Sequence, residues 1–117
     1  GLPLVQHALV SLLEKVHDGV LTLSQVVERT AHAPARLFEV KERGYLREGY
    51  WADLVLVDMH QPTVVDDETV HYRCAWTPFS GCSFRSRVVA TIVSGHPVYF
   101  KGQIDPAPKG RRLEFTR

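Results

Sequence analysis

The chain is 117 residues long, 44% hydrophobic and 23% charged, proportions ordinary for a soluble globular chain with room for one modest core. Its 14 basic and 13 acidic residues leave a formal net charge of +1, which gives no electrostatic reason to invoke nucleic acid or an anionic membrane. No apolar run approaches the roughly 20 residues of a membrane span, and no signal-peptide pattern opens the sequence.

The first predicted element is a helix in GLPLVQHALVSLLEKVHDG. Leu4, Val5, Ala8, Leu9, Leu12, Leu13 and Val16 recur at intervals of three and four, which makes one wide apolar stripe. Pro3 suits a first helical turn and Gly19 a C-terminal stop. Gly1 stands close to that first turn with no Met before it. It is read as the end of a loop whose earlier part lies outside this sequence.

A second helix is predicted after Thr22, which with Gln25 fits a capping box; Leu23, Val26, Val27 and Thr30 form its inner face. A third, short helix is predicted in TAHAPARLFEV, with Pro34 in its first turn and Leu37 and Phe38 packing inward. The character changes at Gly44. GYLREGYWADLVLVD joins a turn rich in Gly and charge to the unbroken apolar run Leu54–Val57, expected to be a strand buried on both faces.

Residues 62 to 81 carry loop and turn chemistry: Pro62, Asp66-Asp67, Thr77-Pro78-Phe79 and Ser80-Gly81. VVATIVSGHPVYF then predicts two strands around a Ser94-Gly95-His96-Pro97 turn. The tail KGQIDPAPKGRRLEFTR reads as an extended surface arm on which Leu113 and Phe115 could dock. Helices first and a small sheet afterwards place the chain in the α+β class.

The chemistry-bearing residues form no recognisable site. His7, His17, His32, His60, His71 and His96 show none of the H-x-H, H-E-x-x-H or close Cys/His spacings of a metal centre, so packing, capping or surface roles weigh more than ligation for each. Cys74 and Cys82 are too few for a disulfide framework, and free thiols in a reducing cytosolic setting are the default over a disulfide or a metal pair. Asp53 and Asp58 flank the apolar strand either as its caps or as paired carboxylates, with capping the heavier reading. No serine nucleophile elbow and no phosphate-cradling glycine loop is present.

Four stretches nevertheless resemble one family, in its order and over almost the whole chain. EGYWADLVLVD resembles the segment that follows the catalytic barrel of amidohydrolase-superfamily enzymes, where a Gly turn leads through Ala-Asp-Leu into a strand of a small β-sandwich. CAWTPFSGCSFRSRVVATIVSGHPVY is similar to the C-terminal signature of the cyclic amidases, meaning dihydroorotases, allantoinases and dihydropyrimidinases. GLPLVQHAL resembles the loop and helix after the last metal-ligand motif of dihydroorotases, and TAHAPARLF their penultimate helix.

The resemblance implies the C-terminal portion of a dihydroorotase. Residues 1–43 would be terminal helices of a metal-dependent (β/α)8 barrel, and 44–117 the C-terminal part of a β-sandwich with an extended tail, incomplete without upstream chain. The implied parent interconverts N-carbamoyl-L-aspartate and L-dihydroorotate, using zinc to polarise the ring amide and lower the pKa of bound water. The partners this implies are that small-molecule substrate and the upstream barrel, with no nucleic acid and no membrane, in a cytoplasmic enzyme that could be a homo-oligomer. The family's metal ligands and catalytic Asp belong to motifs absent here, so no catalytic and no metal role is transferred to any residue. One role does map: Gly1, Leu2 and Pro3 stand where the family's loop meets the substrate carboxylate through main-chain groups, with Gly1 and Leu2 the better donors because Pro3 lacks an N–H. Leu4 and Gln6 depart from the Gly and Glu of many relatives. The alternatives are an allantoinase or dihydropyrimidinase segment, or a non-catalytic α+β binding module working through sheet edges.

Overall fold

A computed structural model describes residues 1–107 and 110–116. A 3-10 turn at Val5–His7 leads into α1 (Ala8–His17), followed by α2 (Leu23–Val27), a π-helical turn (Glu28–His32) and α3 (Ala33–Leu37). Six strands complete the chain: β1 (Leu54–Asp58), β2 (Thr63–Val64), β3 (Ser83–Phe84), β4 (Arg87–Val93), β5 (His96–Phe100) and β6 (Gln103–Ile104). Helices precede strands, as the α+β reading expected. The described chain forms two compact units interleaved in sequence, Gly1–Thr22 with Asp58–Arg87, and Leu23–Val57 with the chain from Val88 onward.

In the first unit α1 packs on the short antiparallel pair β2–β3, where Thr63 faces Phe84 and Val64 faces Ser83. That pair lies where only loop chemistry was expected. Two-residue strands carry too little periodicity to be read from sequence. The helix itself ends as predicted, with the Gly19 N–H bonded to the Val16 carbonyl at 3.0 Å. Its buried face meets the predicted stripe only at Leu13. His7, Val10 and Leu13 go inside, joined by Val65, Thr77, Phe84 and Ser86. Val5 is 81% exposed, Leu4 and Ala8 are exposed, and Leu9, Leu12 and Val16 are only partly covered. The helix therefore uses one face for this unit's core and leaves most of its wider apolar stripe free.

In the second unit the two predicted helices are one continuous helical run from Leu23 to Leu37. Pro34 has no N–H for the Thr30 carbonyl, and its ring crowds that turn. The backbone widens into the π turn just ahead of it instead of breaking. Val26 and Ala35 are buried from this run. Leu37 and Phe38, expected to pack inward, are 75% and 52% exposed. Gly44 is the residue the helix demands. A Cβ there would stand 2.5 Å from Ala35 Cβ and 2.9 Å from the Ala31 carbonyl oxygen, and its φ of +89° suits glycine alone.

The four-stranded sheet runs β1-β4-β5-β6, so β1 and the two-residue β6 are its edges. β4 and β5 form an antiparallel hairpin in which Val93 faces His96, leaving Ser94-Gly95 as the turn. Both turn residues have positive φ (+50° and +85°), the type I′ geometry whose twist matches the strands. The turn is thus two residues shorter than predicted, with His96 and Pro97 already in β5. β1 exists where LVLV predicts it, but not with both faces buried: Val55 is 48% and Leu56 50% exposed. An edge position leaves its side chains without neighbours on one flank.

The expected arm is paired with the rest of the chain at several described residues. β6 pairs with β5, an isolated bridge joins Val40 to Phe115, and the Lys41 N–H donates to the Glu114 carbonyl at 2.8 Å. Leu113 and Phe115 remain exposed. Pro108, Lys109 and Arg117, which belong to the same expectation, lie outside the described residues.

Candidate functional site

The residues to follow are the lead-in Gly1–Pro3 and whatever holds it. Gly1, Leu2 and Pro3 are irregular backbone ahead of the 3-10 turn; Gly1 and Leu2 are exposed and Pro3 is half-buried. Four residues separate them from the start of α1, so their N–H groups are not the first N–H groups of that helix.

Gln6, next in line, is tied to the 66–72 loop. Its N–H donates to Tyr72 Oη at 2.6 Å, its Nε2 donates to the Thr69 carbonyl at 2.9 Å, and its Oε1 accepts from the His71 N–H at 2.8 Å. His7 follows, 3% exposed, with its ring edge-on to Phe79 at 5.8 Å and stacked near Phe84 at 6.3 Å. Phe79 belongs to the Thr-Pro-Phe-Ser-Gly turn, which therefore serves as part of the seat for the first helical turn. Among the described residues His7 Nδ1 has no hydrogen-bond partner. Burial, and then the neighbouring His71, hold the His7 imidazole below its ordinary pKa, so the ring is neutral at pH 7.

The other histidines serve packing and capping. His17 Nε2 shares a 2.9 Å hydrogen bond with the fully buried Ser86 hydroxyl, which also lies 3.5 Å from Met59 Sδ. A hydroxyl with no exposed surface cannot meet a substrate, so this Ser–His pair is a staple and not a nucleophile. His32 Nδ1 faces the Gly44 carbonyl oxygen at 2.7 Å and must be the protonated nitrogen, since a carbonyl only accepts. Its ring stacks on Tyr45 at 4.2 Å. His60, His71 and His96 are exposed.

Asp53 and Asp58 act as caps. Asp53 pairs with Arg43 and accepts the Ser94 N–H at 2.8 Å, while Arg43 Nη2 reaches Ser94 Oγ at 3.2 Å. This fixes the start of β1 to the β4–β5 turn, and the Gly95 N–H adds a 2.9 Å bond to the Ala52 carbonyl. Burial alone would raise the Asp53 carboxyl, but the bonds from Arg43 and Ser94 outweigh it and leave the group below the usual carboxylate range. Asp58 accepts the His60 N–H. Glu14 and Asp18 bracket Arg85, and the Arg85 hydrogen bonds hold the Glu14 carboxyl below its usual value.

Cys74 and Cys82 are free and exposed. Among the described residues no three His, Cys, Asp or Glu side chains converge to hold a metal ion, and no helix is long and apolar enough to cross a membrane. The local residues therefore offer a positioned loop and several clamps. Sequence reading missed Gln6, Tyr72 and Ser86 as anchors. Of these only Gln6 carried a signal, a polar residue inside an otherwise apolar first turn.

A family model described as the amidohydrolase family matches residues 15–99. A dihydroorotase from Pyrococcus horikoshii is 33% identical over 113 residues, covering 97% of this chain and 27% of that protein. An allantoinase from Rubrobacter xylanophilus is 37% identical over 118 residues, covering all of this chain and 26% of that protein. Among solved structures, the L-hydantoinase (dihydropyrimidinase) from Arthrobacter aurescens superposes with a TM-score of 0.83 at 31% identity, covering 89% of this chain and 24% of its own. The chain thus spans about a quarter of the length of the curated relatives it matches.

Proposed function

This chain belongs to the amidohydrolase family, and we propose that it is the C-terminal segment of a dihydroorotase, an enzyme that interconverts N-carbamoyl-L-aspartate and L-dihydroorotate. The observation that carries the reading is the alignment of 97% of the chain with 27% of the Pyrococcus horikoshii dihydroorotase. The uncovered outer stripe of α1 and the half-exposed edge strand β1 support it, because both are surfaces that a larger protein would cover.

In this reading residues 1–43 are the last helices of the barrel, and 44–117 are the C-terminal part of a β-sandwich whose other strands lie upstream. The reacting zinc and its ligands belong to upstream chain. When bound there, the metal would supply Lewis acidity and an activated water. No step is assigned to it through the residues described here, which do not form a metal site. The segment's own contribution is positional. The main-chain N–H groups of Gly1 and Leu2 face the substrate's carboxylate, and Pro3 contributes a fixed φ and no donor. The substrate and the barrel are then its partners, in a cytoplasmic enzyme free to form a homo-oligomer.

The test is to purify the full-length protein that carries this segment, load it with zinc, and compare three cyclic amides. We expect kcat/KM for dihydroorotate to exceed that for allantoin and hydantoin by about tenfold or more, the scale of one well-placed polar contact. Preference for allantoin or hydantoin would overturn the assignment within the family.

A further inference from the structure

The 66–72 loop is shaped before it meets Gln6. Asp66 Oδ1 accepts the N–H groups of Glu68 and Thr69 at 2.8 and 3.1 Å, and Thr69 Oγ1 donates back to the Asp66 carbonyl at 2.8 Å. Against this pre-formed turn Gln6 makes its three bonds, each spanning 63 to 66 residues of sequence. Within this chain the lead-in has little else to fix it. Leu2 and Val5 project into solvent, and a Cβ built on Gly1 would meet nothing within 4 Å. His7 seats the following residue among aromatic rings, but ring packing tolerates sliding where hydrogen bonds fix distance and direction.

We propose that Gln6 and Tyr72 form a latch that positions Gly1–Pro3 against the substrate, making both of them positioning residues. This rests on the reading of Gly1–Pro3 as the substrate-side loop. The Tyr72 hydroxyl accepts the main-chain N–H three residues after Pro3 and so sets the height of the lead-in. The Gln6 amide bonds both Thr69 and His71 and sets its rotation. Neither side chain touches the reacting atoms. The latch acts on how well the substrate is held, which appears in KM before kcat when ground state and transition state lose the same contact.

Three substitutions in the zinc-loaded full-length enzyme test this, each assayed on whichever of dihydroorotate, allantoin or hydantoin that enzyme opens fastest. Tyr72→Phe removes one acceptor and should raise KM about three- to tenfold, with kcat held within about twofold. Gln6→Met is close in shape, removes both side-chain bonds, and should raise KM further. Gln6→Glu keeps an oxygen for the His71 N–H but gives up the Nε2 donor, so it should fall between Gln6→Met and the unaltered enzyme. Thermal midpoints are recorded beside each, because a merely structural role would move the midpoint and leave KM alone. That order of KM values supports the latch. KM within twofold of the unaltered enzyme in all three, or a loss of kcat that follows the thermal midpoint, overturns it. A preference for allantoin or hydantoin overturns the dihydroorotase assignment alone, since the KM order on that substrate still decides the latch.

Discussion

Replacing Asp53 with alanine should destabilise the protein that carries this chain by about 2–3 kcal/mol. The side chain of Arg43 is 9% exposed and that of its partner Asp53 34%. Removing one member of a buried pair strands the other charge, at a typical cost of about 3–5 kcal/mol. Because water reaches a third of Asp53, screening weakens the pair and the lower figure is appropriate. At about 1–3 kcal/mol per molar urea, the midpoint should fall by about 0.7–3 M. The readout is urea unfolding of the full-length protein that carries this chain, followed by circular dichroism at low protein concentration. Arg43→Met in the Asp53→Ala background removes the stranded charge and should restore part of the loss, so the double variant should be more stable than the sum of the single ones implies. The effect also has a pH signature. A carboxyl whose folded pKa is depressed contributes stability above its unfolded value, near 4, and loses it as pH falls through the folded value. The gap between the natural chain and Asp53→Ala should therefore be full at pH 7 and shrink below about pH 4. A cost below about 0.5 kcal/mol, or strict additivity of the pair, would refute the clamp.

Other outcomes are expected on the same grounds. The 117-residue chain alone should be marginal or self-associating, because Leu2, Val5, Leu37, Leu46, Val55 and Leu56 are all largely or half exposed and each full burial is worth roughly 1.5–3 kcal/mol; a stable monomer by sedimentation with a sharp two-state transition would contradict the fragment reading. His7 is buried neutral with its pKa lowered, so its contribution is present above the unfolded value near 6.5 and declines as pH falls below it. His7→Phe should flatten the fall in thermal midpoint between pH 7.5 and about 5.5, and an unchanged slope would count against that account. Cys74 and Cys82 should both react with a thiol reagent without denaturant, two groups per chain; no reaction even after unfolding would point to a disulfide. Finally, the chain supplied with zinc should open no cyclic amide above a buffer blank, and turnover that co-purifies with it would show that these residues do assemble a centre.

Much of the fold is legible in the residues themselves. The stop at Gly19, the helix beginning after Thr22 and the strand Leu54–Val57 are local decisions, set by caps, by glycine's backbone freedom and by the density of β-branched side chains. The hairpin around Ser94-Gly95 is local too, because a two-residue turn with positive φ matches the strand twist. The family is legible as a resemblance in four ordered stretches, and the family model over residues 15–99 bears it out.

What sequence could not decide is which faces meet. The apolar stripe of α1 reads as the core side, yet of that stripe only Leu13 is buried, beside His7 and Val10, because burial depends on which surface lies opposite and periodicity names only a face. Pro34 reads as the start of a new helix, but continuous helix on either side favours a π turn over a break. Nothing local marks Gln6 and Tyr72 as partners, since their bond joins residues 66 apart. The carboxylate pair Asp53 and Asp58 divides only in three dimensions, where Arg43 and the Ser94 turn claim the first and a local N–H the second. Composition, caps and turns are properties of a few adjacent residues; coupling between distant ones exists only once the chain has closed on itself.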